Sequence, residues 1–188
     1  MILLVCGFGR CGSSLVMRML EAGGMPVAGE YPDYERFARL PTLAASLAAL
    51  DGHAVKLLDP QEHPIPPGPQ YRAVWLKRDP RQQALSSQKF LRAAGARPGR
   101  GYVARAMRAY REDEPRALAH LRAACTDVMV LRFEGLLEAP VWCACRLADA
   151  AERDLDVMGM AGVVLPRDAN CRPDMAIEAQ LAAETREG

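Results

Sequence analysis

The sequence has few aromatic residues, few histidines and no long hydrophobic run. Aromatic residues make up 6% of its 188 residues, and three histidines are present. No apolar stretch approaches the ~18 residues that a membrane-spanning helix needs. The apolar start, Met1–Cys6, is also too short for a signal peptide. These absences predict a cytoplasmic protein with no membrane partner.

Cysteine spacings typical of metal sites are missing as well. Zinc sites pair their ligands at spacings such as C-x2-C, whereas the two closest cysteines here are separated by a single residue. We therefore expect no metal site and reduced, mostly buried thiols, with Cys145 facing the core side of a helix. The six cysteines are Cys6, Cys11, Cys125, Cys143, Cys145 and Cys171.

Short, continuously apolar segments alternate with segments of helical periodicity along the chain. This alternation is typical of a parallel sheet that helices cover on both faces. The sequence therefore predicts a three-layer α/β/α fold with a mainly parallel sheet, in a single domain over residues 1–188. Strands are predicted at Ile2–Cys6, Ala54–Leu58, Tyr71–Leu76 and Asp127–Phe133.

Helices are predicted between and after these strands. Asp79 and Pro80 make a favourable helix start, with an N-cap acid before a proline at the first helical position. Pro115 should end or kink the longest helix, and the stretch from Ala161 to Cys171 looks irregular. The predicted helices are Ser13–Ala22, Tyr34–Leu50, Asp79 to about Ala94, Tyr102–Ala124, Val141–Ala151 and Pro173–Glu184.

The first candidate site is the glycine-rich segment Gly7–Ser14, between the first strand and the first helix. Its sequence, GFGRCGSS, predicts an anion cradle, because glycines let backbone amides converge and a helix N-terminus adds partial positive charge. The segment matches a Walker A loop, G-x4-G-K-[ST], except that Ser13 replaces the lysine. Arg10 supplies a cation within the loop instead. The predicted fold is therefore of the P-loop NTPase-like type.

The second candidate site follows the third strand, in the segment WLKRDPR. Arg78 ends the strand, and Ser86 lies about two turns into the next helix. The curvature of the chain can bring the guanidinium and the hydroxyl group to one phosphate. Both sites follow strands of a parallel sheet, where ligands bind beyond the carboxyl ends.

These two motifs resemble the nucleotide-binding motifs of sulfotransferases. Gly-x-x-Arg-x-Gly-Ser-Ser-Leu after a strand is similar to the family's 5′-phosphosulfate loop. A strand followed by Arg-Asp-Pro-Arg, with a serine eight residues after the first arginine, is similar to its 3′-phosphate motif. The resemblance covers most of Met1–Pro140 and includes a strand-to-helix element at Leu131–Pro140. Beyond it, only Arg172 matches loosely, at a basic position near the donor.

The resemblance implies a metal-free transfer of a sulfuryl group from 3′-phosphoadenosine 5′-phosphosulfate to a hydroxyl or amine. Arg10 would stabilise the leaving phosphate, and Lys56 on the second strand could reach the sulfonate. Glu30 is the predicted general base, because its segment is similar to one that carries a catalytic glutamate in some sulfotransferases; Asp59 is the alternative. The implied donor-binding residues are Gly9, Arg10, Cys11, Gly12, Ser13, Ser14, Arg78, Ser86 and Arg172.

Two other functions remain open from the sequence. Val55–Asp59 can be read as a degenerate Walker B motif, which would favour a P-loop nucleotide kinase or hydrolase with Asp59 on Mg²⁺. The missing Walker lysine argues against that function. A non-catalytic nucleotide-binding module is the other alternative, because the short chain leaves little sequence for an acceptor pocket.

Positive charge is concentrated in one part of the chain. Residues from Arg72 to Arg111 include eleven Lys/Arg and one acid, whereas the remainder holds 13 basic and 22 acidic residues. Such an asymmetry often marks a surface for an anionic partner. Because few aromatic residues lie between the charges and no nucleic-acid motif is present, we predict a small-molecule or carbohydrate acceptor and no nucleic acid. A homodimer remains open.

Overall fold

The computed structural model describes residues 1–32, 34 and 50–165. Within them, one sheet of parallel strands has the order β2-β1-β3-β4. Every predicted strand is confirmed to within one residue at each end. The strands are β1 Ile2–Gly7, β2 Ala54–Leu58, β3 Tyr71–Lys77 and β4 Val128–Arg132.

Helices cover both faces of this sheet, which gives the predicted three-layer α/β/α architecture. Helices α1, α4, α5 and α6 contribute to the core on one face, and α3, with α2 packed against it, covers the other. The helices are α1 Ser13–Ala22, α2 Pro80–Ala93, α3 Tyr102–Ala124, α4 Phe133–Glu138, α5 Pro140–Ala151 and α6 Val157–Gly162.

The strand β1 is buried on both faces, because successive side chains of a strand point to opposite sides of the sheet. Leu3 and Val5 pack into the core beneath α1, whereas Ile2, Leu4 and Cys6 pack into the core beneath α3. This double burial explains why the strand reads as a continuous apolar run. It also fixes the start of the following loop at the carboxyl edge of the sheet.

One local prediction is wrong, and two need a correction. Cys145 is exposed, since α5 turns Cys143 towards the core instead. Helix α3 does not end at Pro115 but continues through it, because both this proline and Arg111, whose carbonyl loses a hydrogen bond there, are exposed and water can replace the missing bond. The stretch predicted as irregular from Ala161 starts two residues too early, since α6 ends at Gly162, and residues 163–165 lie outside any helix or strand.

Several predictions fall outside the described residues. They concern nearly all of the helix at Tyr34–Leu50, the helix at Pro173–Glu184, and the residues Cys171 and Arg172. Among the helices that the structure describes, none is both long and apolar enough to span a membrane.

Candidate functional site

The loop between β1 and α1 forms a tight turn at the carboxyl edge of the sheet. The Cys11 amide donates to the Phe8 carbonyl oxygen at 3.1 Å, and Arg10 has a left-handed backbone with a φ of 70°. Helix α1 then begins at Ser13 with no side-chain cap on its N-terminus. Because the first amides of a helix have no partner inside it, this end is suited to an anion.

Gly12 is required where the loop enters α1. Its φ of 104° is a left-handed conformation that favours glycine. A Cβ atom at this position would lie 2.5 Å from Cδ2 of Phe133. The aromatic ring of α4 therefore packs directly against the loop backbone, and a larger residue would displace one or the other.

Side chains from the β3–α2 unit hold the loop at three consecutive carbonyl groups. The Gln83 amide donates from Nε2 to the carbonyl oxygens of Phe8 and Gly9, at 3.1 and 3.0 Å. The Arg78 guanidinium donates from Nη1 to the carbonyl oxygen of Arg10 at 3.1 Å. The two predicted motifs therefore form one hydrogen-bonded assembly.

The start of α2 is capped as the sequence predicts. The Asp79 carboxylate accepts a hydrogen bond from the Gln82 amide at 2.9 Å, and Pro80 is the first helical residue. The backbone amide of Asp79 donates in turn to Glu134 Oε1 at 2.8 Å. Both carboxylates thus accept hydrogen bonds from backbone amides, and they fix the direction of the chain between β3 and α2.

Arg10 links the two motifs, because its side chain contacts Ser86 and its carbonyl oxygen accepts from Arg78. Arg10 Nε lies 3.4 Å from Ser86 Oγ, and its guanidinium carbon lies 4.9 Å from the centre of the Phe90 ring. The guanidinium of Arg78 is stacked over Phe133 at 4.3 Å. Arg78 and Ser86 are both buried. Two guanidinium groups beside a helix N-terminus favour a ligand with more than one negative charge.

Lys56 is brought to the same loop from the outer strand of the described sheet. Its side chain is buried, with 5% of the residue exposed, and its Nζ donates to Ser14 Oγ at 3.2 Å. A buried ammonium in contact with the first turn of α1 adds a third cation to the anion cradle.

Cys11 and Ser13 are buried within the loop, and Gly9 lies half-buried beside them. Burial raises the pKa of the Cys11 thiol, although hydrogen bonds from Ser13 and the charge of Lys56 oppose the rise. A thiol in this position is a packing group.

The two candidate bases have different environments. Residues before Glu30 run parallel to β2, since Ala28 donates to the Ala54 carbonyl oxygen at 2.8 Å and Val27 forms a bridge to Ala54. This direction leads towards the carboxyl edge, where the exposed Glu30 follows. Among the described residues, no hydrogen bond or ion pair joins the Glu30 carboxylate to the loop.

Asp59 lies directly at the root of the loop. Its amide donates to the Gly7 carbonyl oxygen at 3.1 Å. Burial raises the pKa of its carboxyl group, and the charge of Glu62 adds to the rise while His63 opposes it. A carboxyl group with a raised pKa beside an anion site is a candidate for proton transfer.

The sequence analysis missed four residues that build the site: Gln83, Phe90, Phe133 and Glu134. Gln83 is the one that a sequence signal could have found. It lies three residues before Ser86, so both side chains share the helix face that meets the loop. The contacts of the aromatic residues depend on α2 and α4 meeting the loop in space, which no local spacing reveals.

A cavity of about 460 Å³ opens behind the β3–α2 connection, at the ends of β3 and β4. Its inner wall is aromatic, and Trp75 Nε1 donates to Glu114 Oε1 at 3.3 Å. Lys77 closes one side through an ion pair of 2.7 Å with the same carboxylate. Across residues 1–32, 34 and 50–165, no group of three or more His, Cys, Asp or Glu side chains could hold a metal ion.

The fold is similar to solved structures with little sequence identity. Retinol dehydratase in complex with androsterone and the inactive cofactor PAP has a TM-score of 0.59 and 18% identity, over 87% of this chain and 64% of that one. Retinol dehydratase with retinol and PAP has a TM-score of 0.53 and 14% identity, over 87% and 63% of the two chains. This chain thus spans less than two thirds of either protein.

A third similar structure matches nearly end to end. The sulfotransferase domain from the curacin biosynthetic pathway has a TM-score of 0.53 and 15% identity, over 98% of this chain and 90% of that domain. No family model and no curated protein matches the sequence. The chain therefore has the α/β/α fold found in this sulfotransferase domain and in retinol dehydratase.

Proposed function

We propose that the protein transfers a sulfuryl group from 3′-phosphoadenosine 5′-phosphosulfate to a hydroxyl or amine of an acceptor. The observation that carries this proposal is the meeting of Arg10, Arg78 and Ser86 behind a glycine-rich loop at a helix N-terminus. A donor with phosphates on both its 5′ and its 3′ side would engage both halves of such a site.

The site has the groups that the transfer needs at the donor end. As the acceptor oxygen or nitrogen bonds to sulfur, the bond from sulfur to the 5′-phosphate oxygen breaks, and negative charge grows on that phosphate. Arg10 and the first amides of α1 stabilise this charge. Lys56, which donates to Ser14 at the first turn of α1, neutralises the sulfuryl oxygens in this proposal. The proton of the acceptor leaves to Glu30 or Asp59.

In this proposal, Arg78 and Ser86 bind the 3′-phosphate of the donor. Both residues are buried, Arg78 just before α2 and Ser86 about two turns into it, so a phosphate held by them would be removed from water and would accept charge-assisted hydrogen bonds. Arg172, which lies outside the described residues, is proposed as a further donor contact on the strength of the family resemblance.

Calorimetry with the donor product, 3′,5′-diphosphoadenosine (PAP), tests the proposal. A charge-assisted contact to the 3′-phosphate contributes ~1.5–3 kcal/mol, so PAP should bind about ten- to a hundredfold more tightly than ADP. Arg78→Ala should remove this preference. Arg92→Ala, at an exposed position of α2, is the matched control and should keep this preference.

Equal affinity for PAP and ADP would contradict the proposal, as would a preference that survives in Arg78→Ala. Binding that depends on Mg²⁺ and favours ATP would support a P-loop kinase or hydrolase instead. Once PAP binding is established, mass spectrometry of a metabolite pool incubated with donor and protein identifies the acceptor, through the gain of one SO₃ group.

A further inference from the structure

One surface of the protein is strongly basic, although Arg108 within it pairs with Glu112 at 3.9 Å. The stretch 80–111, which spans α2, the following loop and the first half of α3, contains eight Lys/Arg and no Asp or Glu. All eight residues are exposed. We call them the basic surface: Arg81, Lys89, Arg92, Arg97, Arg100, Arg105, Arg108 and Arg111.

The basic surface differs from an ordinary solvated helix face, on which charges of both signs alternate. The next turn of α3 shows the ordinary pattern, with Arg116 paired to Asp113 at 3.0 Å. Within the basic surface, Arg105, Arg108 and Arg111 follow one another at intervals of three residues. Like charges at this spacing destabilise a helix, so an anionic partner would relieve a cost that the fold otherwise bears.

The basic surface begins beside the proposed sulfuryl site. Phe90, under the guanidinium of Arg10, is flanked in the chain by Lys89 and, two residues on, by Arg92. The Ser87 and Tyr102 hydroxyl groups, 2.7 Å apart, join α2 to α3. A chain-like anion bound along these two helices therefore leads directly to Arg10.

The aromatic and apolar side chains of the basic surface argue against two classes of anionic partner, nucleic acids and folded proteins. Tyr110 is stacked on Phe8 with ring centres 5.4 Å apart, and Tyr102 is half-buried and bonded to Ser87, so the surface offers little aromatic area for nucleic-acid bases to stack on. Leu85 is the one large apolar residue exposed within residues 80–111. A folded protein partner would need an apolar contact at the centre of its interface.

We propose that the basic surface binds an acidic polysaccharide whose sugar hydroxyl is the sulfuryl acceptor. This inference rests on the proposed function for the transfer step and on the charge pattern for binding. A sugar hydroxyl oxygen bonds to the sulfur, the bond from sulfur to the donor phosphate oxygen breaks, and the hydroxyl proton leaves to the base. The products are a sulfated polysaccharide and PAP.

Binding of polygalacturonate fragments, which carry one carboxylate per sugar, tests the surface without any turnover. We expect binding that weakens steeply with salt, as for other polyelectrolytes. Replacing Arg105, Arg108 and Arg111 together by Glu should lower affinity at least about tenfold, because attraction becomes repulsion. A control with the same charge change at exposed residues outside the surface should stay within about twofold; it replaces Arg116, Arg122 and Arg146 by Glu.

A milder variant guards against misfolding: Arg92, Arg97 and Arg100 replaced by Gln should also weaken binding, with an unchanged melting temperature. Equal affinity for polyglutamate would overturn the polysaccharide in favour of an acidic polypeptide. Tighter binding of duplex DNA would overturn it in favour of nucleic acid. Absence of binding in the wild type, or equal loss in the control, would refute the surface itself.

The two proposals fail separately. Polygalacturonate binding without PAP binding would support the basic surface as a binding site and contradict the proposed sulfuryl transfer. Conversely, PAP binding that stays unchanged in the charge-reversal variant, together with a loss of labelled sulfuryl incorporation into polygalacturonate, would support both.

Discussion

Arg78 donates a hydrogen bond from its guanidinium to the carbonyl oxygen of Arg10, 3.1 Å away across 68 residues of sequence. One arginine of the site therefore positions the backbone that carries the other. In the proposed function, the group that meets the 3′-phosphate is also the group that shapes the 5′-phosphate loop. The two halves of the donor should be bound cooperatively for this reason.

The first prediction concerns Gln83, the second side chain that holds the loop. Gln83→Leu leaves the carbonyl groups of Phe8 and Gly9 without these donors, at a cost of about 1–3 kcal/mol in the free energy of unfolding. The substitution should also weaken the binding of PAP, because the loop loses its fixed shape. Gln82→Leu is the matched control, because no described hydrogen-bond partner serves its side-chain oxygen.

Calorimetry and thermal unfolding measure both effects of Gln83. If Gln83→Leu lowered the melting temperature and left PAP affinity at the wild-type value, Gln83 would be a structural residue with no positioning role. Gln83→Glu, which removes the donor and adds a negative charge near the loop, should weaken PAP more than Gln83→Leu does.

The second prediction separates the chemistry of Arg10 from its backbone. Arg10→Ala should lower turnover by about 2.7–4 kcal/mol, or roughly 10²–10³-fold, the effect of removing one donor to developing charge. Arg10→Gly should lower turnover equally but give a more stable protein than Arg10→Ala does, because glycine accepts the φ of 70° without strain. Activity per folded molecule that survives in either variant would refute the catalytic role.

The third prediction compares the two candidate bases under the true acceptor. If Glu30 takes the proton, Glu30→Gln should lower turnover by about 10²–10⁴-fold at unchanged PAP affinity. Asp59→Asn would then have a small effect. The reverse result would assign the role to Asp59, whose place beside Gly7 is known from the structure. Near-normal turnover in both variants would exclude a carboxylate base at either position.

The fourth prediction follows from the raised pKa of Asp59. A carboxyl group whose pKa is higher in the folded state than in the unfolded state binds its proton more tightly when the protein is folded. It therefore lowers the free energy of unfolding as the pH rises from its unfolded pKa to its folded pKa. This pH window starts near the ordinary aspartate pKa of about 3.9 and ends at the raised value. Asp59→Asn should therefore gain stability over the wild type between acid and neutral pH.

Thermal unfolding from pH 3.5 to 8 measures this difference for Asp59→Asn. Asp154→Asn, at an exposed position, is measured alongside as the control for the loss of a surface carboxyl group. A flat difference for Asp59→Asn would show that its carboxyl group is not held in a disfavoured charged state.

The sheet was predictable because its strands are buried on both faces. A strand such as β1 carries apolar side chains on every residue, and this run is legible without tertiary information. The capped start of α2 was predictable for a similar reason, since Asp79 and Pro80 act on the backbone within one turn. That α3 does not end at Pro115 could not be predicted, because the penalty of a proline depends on exposure, which the sequence does not state.

The charged groups of the site could be predicted from the sequence, whereas the side chains that pack against the loop could not. Arg10 and Arg78 stand in motifs with fixed spacing from a strand end, so their neighbourhood follows from the order of elements. Phe133, in contrast, touches Gly12 across 121 residues of sequence. That contact depends on how α4 packs against α1, and no periodicity within either helix specifies it.

The central place of β1 in the sheet affects how the chain is made. Its partners on the two sides begin 51 and 69 residues further along, at Ala54 for Leu3 and at Tyr71 for Ile2. Contacts this distant in sequence form slowly. Both edges of this apolar strand can therefore be covered only once synthesis has passed β3, which ends at Lys77, and until then those edges are open to aggregation. The residues that shape the anion loop are thus synthesised before the strands and side chains that hold it in place.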